Sequence, residues 1–189
     1  MPITIIDPQS ALVVIDLQKG IVAMPTVHPT AQIVTNAVRL ARAFRQQKRP
    51  VVLVQVYWAP DFSDAVKTRN QTPAAPRKMD PDFFDYVPDL EANAATDILI
   101  HKRNWGAFYG TDLDLQLRRR HITNLVLCGI STSIGVESTA RDAWERSYQL
   151  TFVTDAMTDM NAEAHERSIK TIFPRIGELG TTEEVLAKL

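Results

Sequence analysis

The chain has 189 residues and carries 21 Lys and Arg against 22 Asp and Glu, for a formal net charge of -1. That length suits one domain over residues 1–189 with one sizeable core, and the near-neutral balance without long like-charged runs argues against capture of nucleic acid or an anionic membrane. The opening MPITIIDPQS has neither a basic leader nor a long apolar stretch, and no later run is long enough to cross a bilayer, so a cytoplasmic protein is expected.

In chain order, ALVVID (11–16) reads as a first strand and TAQIVTNAVRLARAFRQQK (30–48) as a helix. VVLVQVYW (51–58) is a second strand, followed by an irregular segment over 59–96 that holds five of the eleven prolines, Pro60, Pro73, Pro76, Pro81 and Pro88. So long a connection usually has a function: a lid over the strand ends or a subunit contact, anchored by Phe83, Phe84 and Tyr86, with a plain packed loop as the equal alternative. DILIHK (97–102) is a third strand, DLDLQLRRR (112–120) a helix whose Arg118, Arg119 and Arg120 form a solvated end, and NLVLCGI (124–130) a fourth strand. The only cysteine, Cys128, lies in that strand and reads as a buried side chain rather than a reactive thiol.

GVESTARDAWERSY (135–148) reads as a helix with an apolar face of Val136, Ala140, Ala143, Trp144 and Tyr148 and a surface stripe of Glu137, Arg141 and Glu145. A fifth strand at LTFVTDA (150–156), a helix at NAEAHERSIKTIF (161–173), a weaker sixth strand at RIGEL (175–179) and a closing helix TTEEVLAKL, capped by Thr181 or Thr182 with Glu183 and Glu184, complete the chain. Continuously apolar strands alternating with helices predict a three-layer α/β/α fold, its six-stranded, mostly parallel sheet covered on both faces.

Ligands of such sheets bind beyond the carboxyl ends of the strands. That rule selects Asp16 after the first strand, Lys102 at the end of the third, and the GISTSIG turn after the fourth. Taken alone, Asp16 reads equally as a turn cap and Lys102 as a strand-end lysine reaching for water. Arg103, one step further along, is expected to point elsewhere and to be structural. Trp105 and Phe108 form either an apolar pocket wall or core packing.

Read together, ALVVIDLQ, HKRNWGAFYGTDLDLQLRRR and LCGISTSIGVESTARDAWERSY resemble the isochorismatase-like hydrolase superfamily, a Rossmann-like fold that also contains cysteine amidases, over nearly the whole chain. KRNWGAFYGTDL and GISTSIGVESTAR resemble in particular its bacterial YecD-type branch. The resemblance implies a catalytic aspartate at Asp16 and a catalytic lysine at Lys102. It places Gly135 where amidase members carry their nucleophilic cysteine. It further implies a non-proline cis peptide at Ile130-Ser131, with the backbone N–H groups of Ser131 and Gly135 facing an oxyanion.

Gly135 has no side chain to attack a carbonyl, so an acyl-enzyme at this position is excluded, and Cys128, seven residues earlier and inside the strand, does not replace it. Isochorismatases, which also carry Gly there, imply a noncovalent route in which Asp16 is general acid or base, Lys102 its electrostatic partner, and water attacks. The alternatives are a water-mediated C–N hydrolase and a catalytically silent metabolite-binding or scaffold protein.

The histidine-bearing metal segment of nicotinamidases has no counterpart in VQVYWAPDFSDAV, and His28, His101, His121 and His165 show no local ligand pair. No metal or other cofactor is expected, and each histidine is given a surface or satisfied structural role. Asn104 stands where many relatives have Arg, which puts isochorismate itself in question as the substrate, and Gln55 falls near a polar substrate contact of isochorismatases. The resemblance and the long 59–96 segment imply a homo-oligomer, a dimer or tetramer, acting on a small molecule.

Overall fold

The structure, a computed structural model, describes residues 3–71 and 80–189. Six strands, β1 (Ser10–Ile15), β2 (Val51–Val56), β3 (Ile98–Lys102), β4 (Asn124–Ile130), β5 (Gln149–Thr158) and β6 (Glu178–Gly180), form one sheet in the order β3-β2-β1-β4-β5-β6. Every neighbouring pair is parallel, so the sheet is wholly rather than mostly parallel. The order reverses direction between β1 and β4, where the crevice of a doubly wound sheet lies.

Alternation along β1 shows why its run is continuously apolar. Ala11, Val13 and Ile15 enter one core with Leu113 and Leu117 of α3 (Leu113–Arg119) and Ala140 and Ala143 of α4 (Glu137–Glu145). Leu12 and Val14 enter the other, with Ala37, Leu40 and Phe44 of α2 (Thr30–Gln46) and Val185 of α6 (Thr182–Leu186). A strand covered on both faces has no polar side. Cys128 is fully buried in the second core, and burial pushes its thiol up to about 12.

Several boundaries differ from the sequence reading. A short helix α1 (Lys19–Val22) follows β1, the helix after β5 shortens to α5 (Ala162–Arg167) with two tighter and wider turns behind it, and β6 sits at 178–180. Val136, Ala140 and Ala143 face the core, but Trp144 is 53% exposed, because one step past Ala143 rotates it off the apolar stripe. Glu137 is buried rather than on the surface: its carboxylate accepts from Ser168 Oγ at 2.5 Å and Arg141 Nε at 2.9 Å. Thr181 is the cap of α6, in a capping box with Glu184.

Part of the 59–96 segment is a strap. Residues 80–90 run back over α1, where Lys19 N–H donates to Asp85 C=O (2.8 Å), Gly20 N–H to Phe83 C=O (3.0 Å), and Tyr86 Oη to Leu53 C=O (3.0 Å). A Cβ on Gly20 would fall 2.0 Å from the Phe83 ring, so only glycine lets the aromatic lie on the helix. Phe83, Phe84 and Tyr86 thus anchor a packed loop, while Pro73 and Pro76 lie outside the described residues. No helix among the described residues is long and apolar enough to cross a membrane.

Candidate active site

The carboxyl ends of β1, β3 and β4 converge at the crevice. Asp16 leaves β1 in the left-handed region (φ 51°), its amide still donating to Val54 C=O at 3.0 Å, and this turn aims the side chain across the strand ends. Lys102 ends β3, two strands away, and Nζ meets Asp16 Oδ2 at 2.7 Å. Both residues are buried, at 6% and 2% exposed. Lys102 Nζ also donates to Asn104 C=O at 3.2 Å.

Asp16 Oδ1, in contrast, is buried without a hydrogen-bond partner among the described residues. The nearby Val56 amide is taken by the Gln18 side chain at 2.9 Å, whose Nε2 also donates to Val56 C=O and Phe84 C=O. Burial raises the Asp16 pKa above the ordinary carboxylate range, and the Lys102 ammonium opposes it without cancelling it.

The third element is the turn after β4. The Ile130-Ser131 peptide is cis, and Thr132–Val136 form one wide π turn before α4. Gly129, at φ 118°, permits the approach of β4 to β1, since a Cβ there would stand 2.1 Å from Ile15 O. Gly135 faces the acid: a Cβ on it would lie 3.3 Å from Asp16 Oδ2 and 2.9 Å from Ile15 Cγ2. Asp16, Lys102 and Gly135 are therefore neighbours. Ile130 is buried in the second core, and Ser131 Oγ donates to Met160 Sδ at 3.2 Å.

The two aromatic candidates part company. Phe108 packs in the first core, its ring 6.0 Å from that of Tyr148, whereas Trp105 is 68% exposed. With Trp58, Val66, Asn104 and Arg103, Trp105 lines a cleft of about 370 Å³. Arg103, expected to be structural, makes structural contacts: its Nε holds Asp64 at 2.7 Å and its carbonyl accepts from the Trp58 indole at 3.1 Å. Gln55 donates to Phe84 C=O of the strap.

Further residues brace the turn. Asp159 Oδ2 accepts from Ser133 N–H (2.7 Å) and Oγ (2.8 Å). The strand-end rule that selected Asp16 applies equally to Asp159, the first residue after β5. His28 and His165, 137 positions apart by number, pack with tilted rings, their centroids 4.8 Å apart. Thr132 Oγ1 gives its proton to Thr158 C=O, so His165 Nδ1, 2.9 Å away, must be the donor to Thr132. Burial, then the neighbouring His28, lowers the His165 pKa, which favours this neutral structural form.

A family model described as Isochorismatase domain matches residues 10–184. The chain is 48% identical over 181 residues to the uncharacterized isochorismatase family protein YecD of Escherichia coli O157:H7, covering 95% of this chain and 96% of that one. It is 29% identical over 213 residues to the ureidoacrylate amidohydrolase RutB of Methylobacterium radiotolerans, covering 98% and 82%. A solved isochorismatase family protein from Burkholderia thailandensis superposes with a TM-score of 0.94 at 42% identity, covering 99% of this chain and 98% of that one. Matched over nearly its full length by the family model and by these relatives, the chain belongs to the isochorismatase family of hydrolases.

Proposed function

We propose that the protein hydrolyses a small organic acid or related metabolite without a covalent intermediate, with Asp16 as the proton donor, Lys102 as its electrostatic partner and Gly135 leaving room for the reacting group. The observation that carries this reading is the half-used carboxyl of Asp16. One oxygen is fixed by Lys102, and the other is buried with no hydrogen-bond partner among the described residues. Leaving a buried polar atom unpaired costs about 1–3 kcal/mol, a cost expected where a ligand supplies the missing contact.

For an enol ether such as isochorismate, the Asp16 proton passes to the vinyl carbon and the resulting oxocarbenium is attacked by water. The hemiketal then breaks its C–O bond to release pyruvate and a dihydrodiol acid. The Ser131 and Gly135 amides would stabilise negative charge on the substrate, and the cleft lined by Trp58 and by Arg103, Asn104 and Trp105, on the loop that follows Lys102 in the chain, would receive its carboxylated body.

The assay is pyruvate release from isochorismate, coupled to lactate dehydrogenase. Asp16→Asn is expected to lose at least about 100-fold in kcat, and undiminished turnover in that variant would sink the reading. Similarity to RutB supports a second reading, water-mediated hydrolysis of a C–N bond by the same residues. Ammonia release from ureido or amide substrates, without pyruvate from isochorismate, would select it. The enzyme is read as a cytoplasmic homo-oligomer, and the exposed Trp144 and Tyr109 support an interface. Light scattering that returned a monomer would reject it.

A further inference from the structure

Thr139 lies on α4, one turn beyond Gly135, and is fully buried. Its hydroxyl donates to Gly135 C=O at 2.7 Å and accepts from Ala107 N–H at 3.1 Å. A bond to the carbonyl four residues back is common for helical threonines. The second bond is not local, since it reaches 32 positions back to the loop that begins at Lys102.

That loop is itself short and braced. Lys102 Nζ donates to Asn104 C=O, three positions before Ala107, and Thr111 Oγ1 donates to Ala107 C=O at 2.6 Å. A Cβ on Gly106 would sit 3.5 Å from Ser138 O, so the loop lies directly against α4.

These contacts form a chain of links that begins at the buried acid and ends at the glycine turn facing it. Asp16 Oδ2 meets Lys102 Nζ, Lys102 meets the Asn104 carbonyl, and the chain runs on to the Ala107 amide. Ala107 meets the Thr139 hydroxyl, Thr139 meets the Gly135 carbonyl, and the Gly135 Cβ position faces Asp16 Oδ2 again. Two of the three site elements, the lysine loop and the glycine turn, are bridged by hydrogen bonds to this hydroxyl.

We infer that Thr139 is a positioning residue, whose hydroxyl fixes the spacing between Lys102 and Gly135 and so keeps the Asp16 carboxyl closed off from water. The inference rests on the reading of Asp16 as the working acid, yet its physical content is the environment of that carboxyl, which is measurable without any substrate. Lys102 is the charged group facing Asp16, with the Tyr86 phenol more distant.

The test is the titration of Asp16 in the full chain, followed through its side-chain carboxyl carbon by NMR and assigned with Asp16→Asn, in Thr139→Val and Thr139→Ser. Valine keeps the shape but can neither accept from Ala107 nor donate to Gly135. The lysine loop and glycine turn then separate, water reaches the carboxyl, and its pKa falls toward the ordinary range. Thr139→Ser keeps the hydroxyl and is expected to titrate like the parent.

With a turned-over substrate, Thr139→Val should lose roughly 10- to 100-fold in kcat, as expected for a misplacement on the order of 1 Å, with KM changed less than about threefold and with recovery in Thr139→Ser. A Thr139→Val protein that melts earlier but keeps the parental Asp16 titration would overturn the inference. If Thr139→Val does not fold, Thr139→Ala takes its place. Equal titration shifts in Thr139→Ala and Thr139→Ser would overturn it too, by assigning the effect to the methyl group. Absence of turnover in the parent would count against the hydrolytic reading alone, leaving the titration to decide this one.

Discussion

Strand β3 carries a buried ion pair at each end, and the two are built differently. At its start, Asp97 has a fully buried side chain and uses both oxygens: Arg45 binds in a fork, Nε to Oδ1 at 3.0 Å and Nη2 to Oδ2 at 2.8 Å, and Asn93 N–H adds a third bond at 3.0 Å. At its end, Lys102 meets Asp16 through one oxygen, and the other has no partner among the described residues. A buried pair is tolerated when its remaining lone pairs are satisfied. The satisfied pair holds α2 and the 90–97 loop to the sheet, and the unsatisfied pair stands at the carboxyl edge, where parallel sheets of this kind bind their ligands. Incompleteness, rather than burial or charge, distinguishes the two.

Breaking the satisfied pair should have the largest effect on the fold. Asp97→Ala leaves a partly buried guanidinium without its fork and is expected to cost about 3 kcal/mol in denaturant unfolding, while the pH dependence of activity stays where it was. A shifted pH profile in that variant would contradict the division of roles.

Lys102→Met probes the other end. Because the ammonium lowers the Asp16 pKa against the larger effect of burial, its removal must raise that pKa further. If Asp16 donates a proton, activity is lost as pH rises through its pKa, so the alkaline limb of the profile moves to higher pH, while kcat falls by about 10-fold or more. The same sign governs stability. A carboxyl with a raised folded pKa contributes most below its unfolded value and loses that contribution as pH climbs through the folded one. A limb that moved down, or did not move, would refute the assigned roles.

The smallest change is Gly135→Ala. Its methyl would press Ile15 Cγ2 at 2.9 Å and approach Asp16 Oδ2 at 3.3 Å, so a loss of about 1–2 kcal/mol in stability is expected, with activity reduced because the space beside the acid is filled. Unchanged activity would show that the reacting group does not use that space.

The sheet was readable because parallel strands buried on both faces leave uninterrupted apolar runs, and Asp16 and Lys102 stood out as charges that end such runs. Other features carry no such trace. Four-residue α1 is a single turn, with Ile21 and Val22 only partly buried against the second core, and so is too short to show a periodicity. The inward turn of Glu137 depends on Ser168, 31 positions away, and the two bonds of Asp159 to Ser133 span 26. Trp58 and Arg103 become neighbours only after β2 and β3 pair. Hydrophobic pattern is written locally, whereas the polar contacts that shape a site are agreements between distant segments.

Between the ladder partners Leu127–Phe152 and Gly129–Met157, β4 spends one residue where β5 spends four. The excess is not slack: Asp155 within it accepts from the Thr182 amide (2.7 Å) and hydroxyl (2.9 Å), and its carbonyl from Asn36 (2.7 Å). Those extra residues act as a ruler, delivering Thr158 and Asp159 to the height at which they grip Thr132 and Ser133. Shortening Val153–Ala156 by one residue would flip the strand's faces and withdraw that grip, so the length of this stretch is tied to the shape of a turn from a different strand.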